Sequence, residues 1–338
     1  MPTKGYQSYR GRMPGWKKLL VVILTVLLVG AVVVLCLEHN QVFDSHGVHL
    51  RLPFSDRKEP APESNAGEDT PGGDDDLVID IQQPENTLSE LHGRALDAAQ
   101  LQTETFAALT GDERPVLTMK AANAAALAID DEAGAALVRE KISGRNAVAV
   151  MACFADAPKA DSDEAMAVMS RTTKAWRDPG GNTWLDPYNA DVTAYLNAMV
   201  QEYAAMGFTE IVLTDVQFPN YGVLKNVVYN DREDTAETRI AAINAFLDTL
   251  HATAEQAGVL LSVELPASLL DSGTDETAGW DLAQIATRVD RIYMSVADQS
   301  AADSARTALA ALRSDADAGA FFVAEIAAPV TGGSYVIS

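Results

Sequence analysis

Gly207-Phe-Thr-Glu-Ile-Val-Leu-Thr-Asp-Val-Gln-Phe-Pro219 decides the fold. A glycine that stops a helix is followed by a short apolar run, 210–214, and the run ends on Asp215 and a proline-closed loop. Helix, buried strand and polar loop in that order make the repeating unit of a parallel sheet, and an acid at the strand's C-terminal end sits where a (β/α)8 barrel gathers its functional groups. Upstream, Trp184-Leu-Asp-Pro-Tyr188 leads into Val192, Tyr195, Leu196, Met199, Val200 and Tyr203, which recur at three and four residues. This spacing predicts an amphipathic helix over 190–206 with that face on the sheet. Asn189 is its cap, Asp191 complements the dipole, and Gly207 ends it.

The same rhythm runs outward in both directions. Predicted strands are 77–81, 115–119, 147–154, 210–214, 259–264, 291–295, 320–326 and 334–337, with helices at 88–109, 132–142, 162–175, 190–206, 235–257, 281–287 and 301–314. The connection after the seventh strand holds Pro329 and Gly332-Gly333 and has no room for a helix. The expected fold is therefore an α/β, TIM-type (β/α)8 barrel over residues 77–338 with an abbreviated last unit.

Ahead of the barrel the chain changes character twice. Residues 19–37 carry no charge and consist almost wholly of Val, Leu, Ile and Ala, long enough for one transmembrane helix. Lys4, Arg10, Arg12, Lys17 and Lys18 precede it with no acidic residue, whereas Glu38 and Asp44 follow. By the positive-inside bias, residues 1–18 are a cytoplasmic tail and the barrel is extracellular. A cleaved signal peptide is the alternative, but no small-residue cleavage site follows the apolar run. Residues 38–76 read as an extracellular linker, and from Pro53 to Asp76 the composition is that of an acidic, disordered tether.

Charge and cysteine content exclude several function classes. Five of the 25 basic residues lie in the first 18 positions, so 20 basic residues face 48 acidic ones in the rest of the chain. Such a surface repels phosphate backbones, and no nucleic-acid partner is expected. The two cysteines, Cys36 in the apolar span and Cys153 in a predicted core strand, are not placed to pair. His39, His46, His49, His92 and His251 fall away from predicted strand ends, which supports neither a histidine-based triad nor a zinc site; no metal and no cofactor is expected. No phosphate-binding glycine motif follows a strand.

At the predicted strand ends stand Asp156, Asp215, Glu264, Asp298 and Glu325. Glu264 and Glu325 each close an apolar run, where an acid is costly unless it faces the barrel mouth or meets a partner. Paired carboxylates are the machinery of glycoside hydrolysis: one protonates the leaving oxygen and the other attacks the anomeric carbon or activates water. Trp176, Trp184, Asp186, Tyr188, Gln217, Phe218 and Trp280 lie in loops at the same predicted face, and flat rings suit sugar stacking. The same rings also serve simply to seal a barrel top.

Trp176-Arg-Asp178, Trp184-Leu-Asp-Pro-Tyr188, the helix after it and Gly207-Phe-Thr-Glu-Ile211 through Phe218-Pro219 resemble a bacterial family of TIM-barrel glycoside hydrolases whose reaction is mostly unassigned. The similarity extends over residues 77–297 and is most specific over 176–219. The resemblance implies a carbohydrate substrate and a carboxylate site at the C-terminal rim. The family usually carries Asp where this chain has Thr214, and in many members Arg where it has Gln217. In a regular strand Asp215 would point away from the expected carboxylate position, so a barrel that binds glycan or protein without cleaving is the alternative to a hydrolase. The arrangement resembles, more distantly, the alpha-amylase barrel, which implies Asp215 as nucleophile and Glu264 as proton donor; a second barrel class pairs Asp215 with Glu325.

Overall fold

In a computed structural model of the chain, residues 41–44, 47–50, 88–126, 132–229 and 232–338 are described. The predicted span 19–37, most of the linker and the predicted strand 77–81 lie outside them. Among the described residues no helix is long and apolar enough to cross a membrane. Residues 1–80 and 81–338 form two units. Of the first, Gln41–Asp44 and Gly47–Leu50 pair as an antiparallel hairpin.

The second unit is a closed barrel of eight parallel strands. In chain order they are β1 His92–Leu96, β2 Arg114–Lys120, β3 Val148–Ala152, β4 Glu210–Thr214, β5 Leu260–Glu264, β6 Arg291–Ser295, β7 Phe322–Ile326 and β8 Ser334–Ile337. Each pairs with the next, and β8 pairs with β1 to close the ring. The principal helices are α1 Glu132–Ile142, α2 Ala190–Met206, α3 Ala236–Ala257, α4 Leu282–Ala286 and α5 Gln299–Leu312. Asn189 caps α2 by accepting from the Asp191 amide at 2.8 Å, and Gly207 ends it with φ 101°. No helix joins β7 to β8, as the proline and paired glycines of that connection predict.

Two expectations are corrected. The predicted helix 88–109 is instead β1, a 3-10 turn at Ala98–Gln102 and a short helix at Glu104–Ala107, so His92 opens a strand. The reason is close packing: a Cβ on Gly93 would meet Val116 Cγ2 at 2.8 Å and Val336 Cγ2 at 3.0 Å, an approach of strands only glycine allows. The predicted helix 162–175 is a 3-10 turn at Glu164–Met166 followed by Met169–Ser170, which pairs antiparallel with Val227–Val228.

Two cores divide the strands' side chains by alternation. Val116, Val148, Val212, Tyr293, Val323 and Val336 fill the lumen, while Ile211, Leu213, Leu261, Val263, Ile292 and Met294 pack outward toward the helices. Following that period of two, Glu210 lies on the lumen side at the start of β4, and Thr214, Glu264, Ser295 and Glu325 lie on it at the opposite end.

The lumen floor is a buried charge network. Glu210 and Arg291, with side chains 0% and 1% exposed, form an ion pair at 3.3 Å between Oε2 and Nε, without hydrogen-bond alignment. Ser262 and Tyr293 hydroxyls donate to Glu210 Oε1 at 2.7 and 2.8 Å. The Arg291 guanidinium donates to the Ala320 carbonyl and, at 2.7 Å, to the Ser89 carbonyl. A network at the end opposite the mouth serves stability and leaves the upper rim to chemistry.

Candidate active site

The C-terminal rim opens into a cleft of about 780 Å³ lined by Lys120, Thr214, Asp215, Gln217, Glu264 and Trp280, among others. Its position follows from the strands: β2, β4, β5 and β6 each end there with a polar side chain on the lumen side. Asp215 reaches it by leaving the pleat. Its φ of 52° is left-handed, which costs a non-glycine residue and is found where the surroundings hold it in place. Here the holding bonds are backbone ones: the Cys153 amide donates to the Thr214 carbonyl at 2.9 Å and the Phe154 amide to the Asp215 carbonyl at 3.2 Å. Successive residues Thr214 and Asp215 therefore face one cleft, and the Thr214 hydroxyl donates to Asp215 Oδ2 at 3.2 Å.

Three acids share this end of the barrel. Burial pushes the Asp215 carboxyl up, opposed by the Thr214 hydroxyl and the Lys120 charge. Burial likewise raises Glu264, and the charge of Asp215 raises it further. Glu325 is pushed up to about 7 by burial and by Glu264. Glu325 follows Glu264 around the rim rather than lining the cleft itself; β6, with Ser295 paired to Glu325, stands between their strands. At Asp215 the Thr214 hydroxyl and the Lys120 charge oppose the rise, whereas nothing opposes it at Glu264, a contrast of the kind that separates a base or nucleophile from an acid.

Lys120 is the residue that sequence reasoning passed over. The pairing of β2 with β3 shifts register between Thr118 and Lys120, and the lysine that ends the strand is buried. Its ammonium donates to the Ala152 carbonyl at 2.8 Å and lies 3.0 Å from Asp156 Oδ2, with both side chains almost fully buried. Asp156 is thereby committed to structure: it also caps the helix Ala157–Ser162 and accepts from the Tyr195 hydroxyl at 3.1 Å. Asp298 caps α5. The signal for Lys120 was present as a lysine closing an apolar run.

The predicted binding residues divide. Gln217 lines the cleft and its side-chain amide donates to Asn220 at 3.4 Å. Trp176, Trp184 and Phe218 lie in the hydrophobic core, at 3%, 1% and 0% exposed, and offer no open ring face. Trp184 gives its indole N–H to Asp178 at 3.3 Å. Tyr188 is half-buried, packed edge-on against Phe218 and Tyr229 at 4.8 and 5.2 Å, and its hydroxyl donates to Asp234. Asp186, buried and raised to about 6 chiefly by that burial, accepts from the Tyr188 amide at 2.9 Å in the turn that leads into α2. Trp280 does line the cleft, its indole N–H held by the Val216 carbonyl at 2.6 Å. Among the described residues no group of three or more His, Cys, Asp or Glu side chains is gathered as a metal site.

A family model described as "Putative glycosyl hydrolase domain" (DUF4015) matches residues 116–296, more than half of the chain. The chain belongs to this family. The matched DUF4015 region runs from β2 to the end of β6 and contains Lys120, Asp215 and Glu264, with Glu325 beyond it. No curated protein matches the chain. Among solved structures, it is similar to the glycoside hydrolase domain of PgaB (BpsB) from Bordetella bronchiseptica at 10% identity, over 70% of this chain and 84% of that one, with a TM-score of 0.48. It is similar to the glycoside hydrolase domain of PelA from Pseudomonas aeruginosa at 17% identity, over 70% and 83%, with a TM-score of 0.40. A hypothetical protein from Ruminiclostridium thermocellum is similar at 24% identity over 50% of this chain and 96% of that one, also with a TM-score of 0.40.

Proposed function

We propose that the chain is a single-pass, membrane-anchored glycoside hydrolase whose barrel lies outside the cell and cleaves polysaccharide or cell-wall glycan with paired carboxylates. The observation that carries the reading is the meeting of Asp215 and Glu264 in one open cleft with their charges coupled. In the reaction, Glu264 protonates the departing glycosidic oxygen while ionised Asp215 attacks the anomeric carbon or draws a proton from the attacking water. Glu325, neutral over much of the acidic range, adds no second negative charge beside Glu264 until the pH approaches 7. The uncharged run 19–37 and its basic flank support the anchor and the outward orientation.

The test uses the full chain in detergent, incubated with a panel of glycans and assayed for new reducing ends. Asp215→Asn and Glu264→Gln each lower turnover by about 100-fold or more, with the circular dichroism spectrum unchanged. A second reading, a barrel that binds glycan without cleaving it, is favoured by Thr214 standing where the resembled family usually has Asp. Binding with no reducing ends from any member of the panel would establish it and remove the hydrolase.

A further inference from the structure

Residues 165–177 and 216–229 contain Arg171, Lys174, Arg177 and Lys225 and not one acidic residue, in a chain with 48 acids against 25 bases. The fold crosses the two segments. Met169–Ser170 pairs with Val227–Val228, and the Arg171 amide donates to the Asn226 carbonyl at 3.0 Å. Between them and the helix Ala157–Ser162 lies a groove of about 950 Å³ that includes Arg171, Lys174, Arg177 and Val223. Two carboxylates, Asp161 and Glu164, also line it. Asp161 is already occupied, accepting from Arg177 at 2.8 Å and from the Thr183 hydroxyl at 3.0 Å. Arg171 and Lys174 are exposed and have no ion-pair partner among the described residues.

This groove is joined to the active-site cleft by a short stretch of chain. Gln217 and Asn220 line the cleft, Val223 and Asn226 line the groove, and Tyr221 stands between. Tyr221 is 45% exposed and is fixed in place: its hydroxyl donates to Asp178 at 2.7 Å and its ring meets Trp184 edge-on at 5.9 Å. Gly222 makes the turn with φ 89°, and a Cβ there would strike Pro179 Cδ at 2.8 Å. Tyr221 directly follows Asn220, a residue of the cleft lining, so its ring stands at the cleft's edge. A rigid, open ring at that point offers the stacking face that the buried tryptophans do not.

We propose that the groove is an outer subsite for an anionic glycan, in which Arg171 and Lys174 hold carboxylate or phosphate groups on the chain while Tyr221 stacks a sugar ring next to the cleft. The cleavage of that chain rests on the hydrolase reading above; the binding does not. At physiological salt, charges farther than about 8 Å are screened, so this local excess of basic groups outweighs the acidity of the remaining surface.

The test is calorimetric titration of the full chain carrying Glu264→Gln, which suppresses turnover. The probes are an oligogalacturonide, a poly(glycerol phosphate) chain and a neutral cello-oligosaccharide of similar length, in low and high salt. At least one anionic chain binds about tenfold more tightly than the neutral one and weakens as salt rises, and adding Arg171→Ala with Lys174→Ala removes about tenfold in affinity. The two anionic arms tell carboxylate from phosphate. Equal affinity for all three chains, or no change in the double variant with its spectrum intact, overturns the proposal. Wild-type turnover is scored separately. Anionic binding without cleavage keeps the groove and removes the hydrolase, whereas cleavage of neutral glycan untouched by the two alanines does the reverse.

Discussion

Lys120→Met isolates what the buried pair beside the cleft contributes. The methionine keeps most of the apolar stem and removes the ammonium, leaving Asp156 charged at a site where its side chain is 2% exposed. Breaking a buried pair by removing one partner costs about 3–5 kcal/mol. Two neutral donors remain, the Tyr195 hydroxyl at 3.1 Å and the Lys159 amide at 3.2 Å, and they hold the loss to the lower end. At about 2–4 °C per kcal/mol for a barrel of this size, about 3 kcal/mol lowers Tm by roughly 6–12 °C. Lys120→Met with Asp156→Asn neutralises the stranded carboxylate and recovers more than half of that drop. Near-ultraviolet circular dichroism during heating, at two scan rates, reads both. A single variant within about 2 °C of wild type would refute the argument, because the pair would then contribute no more than an exposed one. A kinetic consequence follows with a definite sign: without the Lys120 charge the Asp215 carboxyl rises further, so the acidic limb of kcat/KM moves to higher pH.

Arg291→Met strands Glu210 in the lumen floor and lowers the urea unfolding free energy by about 3–5 kcal/mol, while the double variant with Glu210→Gln regains most of it; equal single and double losses would argue against the pair. Glu325 binds its proton more tightly folded than unfolded, so between its ordinary 4.5 and about 7 the native state holds the extra proton. Its contribution to stability is thus full below about 4.5 and is lost as pH rises through 7, and Tm measured across this window falls less steeply in Glu325→Gln than in wild type. Identical slopes would contradict the burial of Glu325. Gly222→Ala displaces Tyr221 and weakens oligosaccharide binding without lowering Tm by more than a few degrees; unchanged affinity would show that the ring does not touch sugar.

The barrel was legible where local and long-range signals agree. In α2, the cap Asn189, the apolar face and Gly207 all say helix, and β4 to β7 are short apolar runs between polar turns. They disagreed in His92-Gly-Arg-Ala-Leu96, where leucines at 88, 91 and 96 mimic a helical face. The strand exists because β2 and β8 supply its ladder, information that no local window holds. The stretch after residue 162 misled for a related reason: alanine and methionine favour a helix, but Met169 and Ser170 find partners almost sixty residues away. In the site, the acids at the ends of β4 and β5 follow from counting along strands, whereas the direction of Asp215 does not. Period-two alternation sends it outward, and only the broken pleat turns it to the mouth.

That broken pleat also governs which substitutions position 215 tolerates. Glycine, asparagine and aspartate are the residues that enter this backbone region at small cost, and only one of the three is an acid. Replacement by either of the others silences the carboxylate and leaves the chain path content, while any larger side chain meets a steric penalty before its chemistry matters. On the hydrolase reading, a lineage of this barrel could therefore exchange cleavage for mere recognition in a single substitution that leaves the backbone path as it is.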